Sequence, residues 1–292
     1  MSNSFATELF NPLRASEHYR LSAIVEMARL TLDEREALKD AFGQQRWPLL
    51  LQAPFSNLRE IGPWLFAPRP GAPLAGQHDF FGSLNQLAGD AVCGWIVSAL
   101  PPAELTRHLS HANIVSTPDG GSYLLRYHTE HTLICLHTRR DLPGVAQWLA
   151  PIKDWWFPAA NPSCKTWQRL PGYDRPPLAS ALSIELDQAC WEALAVEPLS
   201  HCLADQLQAP LHAAGKESGY GIRLGLVQQH LAKARELGLT HQADLIDYVT
   251  CMALEGSALD NLAAWQAALQ EARNTDRRLL DAFQARQRQN SF

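Results

Sequence analysis

Hydrophobic and polar positions along this chain follow two different rules, and the change between them falls near residue 175. Before it, short alternating or wholly apolar runs mix with helical spacing. Tyr19 to Val25 alternates apolar and polar residues and predicts a first strand. Thr31-Leu-Asp-Glu34 has the form of a capping box and predicts a helix running to Gly43, with Leu38, Ala41 and Phe42 inward. Trp47–Gln52 reads as a second strand ended by Pro54, and Gly62-Pro63-Trp64-Leu65-Phe66 as a turn feeding a third. Asp79–Leu87 suits a short helix, Val92–Ala99 a buried strand, and Pro101-Pro102 the start of another helix. Two β-prone runs then flank Thr117-Pro118-Asp119-Gly120-Gly121, which predicts a hairpin, because tight turns need residues that accept positive φ. On the second run Tyr123, Leu125 and Tyr127 point one way, and Leu124, Arg126 and His128 the other. Thr132–Leu149 is helical but interrupted at Pro143-Gly144, and Trp155–Leu170 is extended.

Beyond the proline-rich stretch Pro171–Pro177 the spacing is helical throughout. Leu224, Val227, Leu231 and Ala234 form one stripe ending at Gly238. Leu245, Ile246, Val249, Met252 and Ala253 form another before Gly256. Leu262, Trp265, Leu269 and Ala272 open one long last helix to Phe283, and the polar tail from Arg286 is expected to fray. The expected architecture is an α/β lobe with a mixed sheet and helices over residues 1–175, followed by an all-α lobe over 176–292, the two packed together.

Composition narrows the chemistry. Hydrophobic residues make up 46% and charged residues only 19%, with nine tryptophans, which suits protein contacts or a tryptophan-rich core. A net charge of −5 leaves no basic patch for nucleic acid. The N-terminal residues have neither the basic nor the apolar region of a secretory signal, and no apolar run reaches membrane-spanning length. The six cysteines are scattered without a CxxC pair, so reduced thiols in the cytoplasm are expected.

No catalytic, metal-binding or cofactor-binding set emerges. His128-Thr-Glu-His131 has a spacing of three at a strand end, where a zinc helix needs four. His108 and His111 lack a third ligand nearby, and read as surface histidines. Gly219-Tyr-Gly221-Ile-Arg-Leu-Gly225 misses the dinucleotide-loop spacing by one and has no strand before it, so it reads as a helix-to-helix turn. Arg126 suits a structural ion pair better than an anion site. The enzymatic alternative is an unrecognised reaction at Arg126, His128 and His131.

Several short pieces follow one another in a recognisable order. They are Tyr19-x-Leu21 with Ala28 after it, Leu50-Leu51, Gly62-Pro63-Trp64-Leu65, Ile96-Val97-Ser98 leading to His108-Leu109, and Pro118-Asp119-Gly120 before Leu124-Leu125-Arg126-Tyr127. From about Tyr19 to Leu170 the chain resembles the type VI secretion effector adaptors, or effector chaperones, of the domain-of-unknown-function 4123 family, and its helical C-terminal region resembles theirs too. It departs from them at two places. Tyr127-His128-Thr129-Glu130-His131 stands where the family continues aromatic, aromatic, Asp-Pro-Arg, and Glu26-Met27-Ala28 where it tends to have Asp-Gly-Ala. The resemblance implies a non-catalytic cytoplasmic protein of a Gram-negative bacterium. It implies two partners, a cognate toxic effector and the spike protein onto which that effector is loaded, with no cofactor, nucleic acid or membrane partner. The effector is expected to dock where the lobes meet, on Trp155, Trp156, Tyr173, Arg175 and Arg126. Adjacent Trp155 and Trp156 cannot share one core from a regular strand, so one of them faces another surface or packs under the helical lobe.

Overall fold

The tyrosine-opened run becomes strand β1 (Arg20–Glu26) in the computed structural model, which describes residues 3–116, 119–178, 183–195, 199–216 and 219–289. Thr117 and Pro118 of the expected turn, and residues 290–292 of the tail, lie outside the described residues. The further strands are β2 (Arg46–Pro48), β3 (Pro63–Phe66), β4 (Val92–Ser98), β5 (Ile114–Ser116), β6 (Ser122–Leu124), β7 (Ile152–Ala159) and β8 (Thr166–Pro171). Six of them form one sheet in the order β2-β3-β1-β4-β7-β8, and β5 and β6 form the expected hairpin. The pairings β2–β3, β3–β1, β1–β4 and β4–β7 are antiparallel, while Ser116 makes an isolated parallel bridge to Glu185.

Helices cover both faces of the large sheet. The elements are α1 (Asn3–Ala15), α2 (Leu32–Phe42), α3 (Leu74–Ala88), α4 (Pro102–Ser110), α5 (Glu130–Thr138), α6 (Pro143–Trp148) and α7 (Gln188–Ala195). On one face Phe5, Leu9, Phe10 and Leu13 of α1 and Phe80 and Leu84 of α3 pack on Leu21, Ala23, Val25, Trp95 and Trp156. On the other, Leu105, Leu109, Leu133, Leu136 and Trp148 pack on Ile24, Leu65, Ile96 and Trp155. The Thr31 capping box forms as expected: the Thr31 hydroxyl accepts from the Glu34 N–H, and the Glu34 carboxylate accepts from the Thr31 N–H at 2.7 Å. Leu38 is buried, but Ala41 is exposed.

The helix-rich remainder comprises α8 (Leu199–Gln206), α9 (Gln208–Ala213), α10 (Tyr220–Glu236), α11 (Gln242–Glu255), α12 (Ala263–Asn274) and α13 (Leu279–Gln289). Its core holds Leu203, Leu224, Val227, Val249 and Trp265, with the Trp265 ring between Tyr248 at 6.0 Å and Phe283 at 5.0 Å. The single last helix expected from Leu262 to Phe283 is broken in two. Acidic side chains on α11 explain the break, because they satisfy the N–H groups at the start of α13. Leu279 N–H donates to Asp244 at 2.8 Å and Leu280 N–H to Asp247 at 3.2 Å. Asp247 also accepts both arms of Arg278 at 2.7 Å.

Chain contacts divide the molecule into one unit of Met1–Ala159 with Trp167–Val196, and a second of Ala160–Thr166 with Glu197–Phe292. This division differs from the expected one at residue 175: the connector and α7 belong to the first unit, and the β7–β8 loop to the second. The Gly219–Gly225 stretch also differs from its expected helix-to-helix turn. Gly219 caps α10, and Gly221 and Gly225 lie inside that helix, where the missing side chain of Gly225 makes room for the β7–β8 loop. The Asn161 N–H donates to Gly221 O at 3.0 Å, and a Cβ on Gly225 would lie 2.5 Å from the backbone of Asn161 and Pro162. Gly225→Ala is therefore expected to displace that loop and cost about 1–3 kcal/mol. Thermal melting and the rate of tryptic cleavage after Lys165 check this; unchanged values in both would show that the seat is not needed.

Candidate functional site

Glu26 ends β1 as a carboxylate only 4% exposed, at the edge of an apolar strand. A charge placed there must be paired. Its partners come from the stretch after β6. Leu125 N–H donates to Asn113 O at 2.9 Å, and Thr129 N–H to Arg126 O at 3.0 Å, which fixes the path into α5. Leu125 and Tyr127 plunge into the core, while Arg126 and His128 turn the other way. The alternation read from the sequence therefore persists here, although the strand itself stops at Leu124. Tyr123 and Leu124, on the strand proper, are exposed.

Arg126 donates to Glu26 Oε2 at 2.9 Å, and His128 Nε2 lies 2.7 Å from the same oxygen. Burial alone would raise the Glu26 pKa. The His128 hydrogen bond and the charges of His128, Arg126 and Arg29 outweigh it and hold the carboxyl down at about 2. The Arg126 guanidinium loses some basicity to burial but gains more from Glu26, and its pKa is raised. Cys93 sits beside this group, with Arg29 3.8 Å from its sulfur. Burial pushes its thiol up to about 11 against the pull of Arg29, so it is a protonated, weakly nucleophilic thiol at neutral pH.

His131 does not join the cluster. Its Nε2 lies 3.0 Å from Ala193 O on α7, and Cys135 Sγ is 3.8 Å from the same nitrogen. The three residues of the enzymatic alternative are thus split between two places. His108 is half-buried, with Nε2 2.8 Å from Trp148 O, and so is not a surface histidine. Among the described residues no group of three or more His, Cys, Asp or Glu side chains is arranged to hold a metal ion.

Trp155 and Trp156, expected among the docking residues, are both interior, at 1% and 4% exposure, so neither offers an exposed anchor. They do point to opposite faces of β7, as adjacent strand residues must. Both faces of β7 are covered within the first unit. Trp155 meets Trp148 at 5.5 Å and Tyr127 at 6.2 Å, and Trp156 meets Phe5 of α1 at 5.3 Å. Arg126 is half-exposed but committed to Glu26. Tyr173 and Arg175 are exposed, with the Arg175 guanidinium 4.8 Å above the Tyr173 ring. These two remain open to a partner.

Sequence reasoning missed Glu26 as the acceptor for Arg126 and His128. The one available signal was an acidic residue closing an apolar strand where the resembled family has Asp. It also missed the pairing of buried Asp154 on β7 with Arg169 on β8, at 2.7 Å. An open groove of about 1100 Å³ runs between α2, α3 and the 67–73 segment; Phe42, Phe80, Arg69, Asp40 and Asp79 line it, and none of the expected partner-binding residues does. No helix among the described residues is long and apolar enough to cross a membrane.

No curated protein and no solved structure matches the chain. Residues 21–147, which hold the sheet centre, the hairpin and the Glu26–Arg126–His128 cluster, match the model of the family described as Domain of unknown function (DUF4123).

Proposed function

We propose that the chain is a non-catalytic adaptor that binds a cognate toxic effector of a type VI secretion apparatus in the cytoplasm and helps load it onto the spike protein. The observation that carries this reading is the match of residues 21–147 to the DUF4123 family, whose adaptor members the chain resembles in motif order. The geometry of the polar cluster supports it. Arg126 and His128 hold a buried carboxylate, so the most reactive-looking residues on the hairpin serve the fold. Binding then rests on exposed surface and not on a chemical step.

Deleting the gene in its host tests the role. The effector, sought first among products of neighbouring genes, should vanish from the culture medium while the spike protein is still exported. Restoring this chain should restore export. Effector export undiminished by the deletion would overturn the reading.

A further inference from the structure

The connector after β8 is fixed more firmly than its proline-rich composition implies. Tyr173 N–H donates to Leu149 O at 3.2 Å, Asp174 N–H to Ile152 O at 3.0 Å and Arg175 N–H to Ala150 O at 2.8 Å. Gly172 approaches Ile152 O so closely that a Cβ would overlap it. Asp174 is a non-glycine residue in the left-handed region, at φ 52°, which is strained for a side-chain-bearing residue. Its carboxylate is held from two sides, accepting from Tyr19 Oη at 2.6 Å and from Lys153 Nζ at 2.8 Å. This much constraint on an exposed loop presents two side chains outward in a set geometry: Tyr173, 40% exposed, and Arg175 stacked on its ring.

A second arginine, Arg140, adjoins them through its backbone, with Tyr173 Oη 3.4 Å from Arg140 O. The Arg140 side chain reaches the His137 ring at 3.5 Å, and that ring contacts Pro171 O at 3.0 Å. Neither Arg140 nor Arg175 has a carboxylate partner among the described residues. The nearby acids are already engaged: Asp141 with both arms of Arg139, Asp187 with Arg139 at 2.6 Å, and Asp174 with Lys153. The result is a small cationic and aromatic patch on a chain of net charge −5.

From this geometry we infer that Tyr173, Arg175 and Arg140 form a preorganised docking patch for an acidic segment of a protein partner. Guanidinium forks match carboxylates in shape and charge. Exposed Tyr and Arg are the residue types on which interface energy concentrates, and a fixed loop loses little entropy on binding. The acidity of the rest of the chain repels such a segment elsewhere and favours approach here. Two guanidinium groups on an acidic chain are too few to hold a nucleic acid backbone. Identifying that segment with the effector rests on the adaptor reading; the patch itself does not.

The probe is a fluorescently labelled oligoglutamate peptide, titrated into the full chain at about 50 mM salt, where surface charges are weakly screened. Arg140→Gln with Arg175→Gln should weaken binding at least about tenfold, and Tyr173→Ala by a similar factor, with melting temperature nearly unchanged. Arg140→Gln alone carries the test if the double variant does not fold. Failure of the wild type to bind, equal binding by wild type and folded variants, or equally tight binding of a single-stranded oligothymidine would each overturn the patch. Co-purification separates the two readings. An effector retained equally by wild type and double variant overturns the docking role and leaves the adaptor standing. An effector retained by neither overturns the adaptor reading, while the peptide titration still decides the patch.

Discussion

Glu26→Gln is expected to cost the folded chain about 3 kcal/mol at neutral pH, and to remove the part of its acid sensitivity that Glu26 carries. The carboxyl is held at about 2 against an ordinary value of 4.5. Each unit of depression is worth about 1.4 kcal/mol of preference for the folded state, so the shift amounts to about 3 kcal/mol. The sign follows from the depression. Above about pH 4.5 the unfolded chain also carries an ionised Glu26, and the stabilisation is complete. As the pH falls toward about 2, the unfolded chain takes up the proton first and the stabilisation drains away. Glutamine keeps the shape but not the charge, and leaves Arg126 and the buried His128 facing a neutral amide; breaking a buried pair from one side costs about 3–5 kcal/mol. Urea unfolding of both proteins at about pH 7 and about pH 3 checks this. The wild type should lose about 2 kcal/mol more stability between the two conditions than the variant does. Parallel losses would show that Glu26 is not the titrating group.

Trp155→Ala should damage the fold before it touches any partner. The side chain is fully enclosed between Trp148 and Tyr127, at ring distances of 5.5 and 6.2 Å. Truncating a buried tryptophan leaves a cavity and costs about 3–5 kcal/mol. For a unit of this size that lowers the melting temperature by about 10 °C or more. Any loss of partner binding should then follow loss of folded protein. A W155A variant that melts like the wild type but binds its partner poorly would return Trp155 to the surface.

Local rules made much of the fold legible. The Thr31 capping box, the proline start of α4, the unbroken apolar run of β4 and the glycine ends of α2, α10 and α11 are each set by residues a few positions apart. What was not legible depends on partners far along the chain. Helix α1 carries Pro12, a residue disfavoured inside helices, yet its Phe5, Leu9, Phe10 and Leu13 cover the sheet face that receives Trp156. Without that cover, adjacent tryptophans on β7 imply that one faces another surface or packs under the helical lobe. The sequence marks Arg126 as a structural ion-pair former, but its acceptor lies on β1, a hundred positions earlier in the chain. The break before α13 likewise depends on Asp244 and Asp247 of α11 reaching across to Leu279 and Leu280. Tyr173 and Arg175 were legible as exposed residues of a turn-rich connector. The ladder of hydrogen bonds to residues 149–153 that fixes them was not.

The most direct test of the adaptor account is physical association in solution. The purified full chain, the product of its neighbouring candidate effector gene and the spike protein should be combined and resolved by size exclusion with mass determination by light scattering. The account expects a stable complex of this chain with the effector, and a larger one when the spike protein is added. Glu26→Gln should weaken those complexes only as far as it unfolds the chain. Separate elution of all three folded proteins under gentle, low-salt conditions would contradict it.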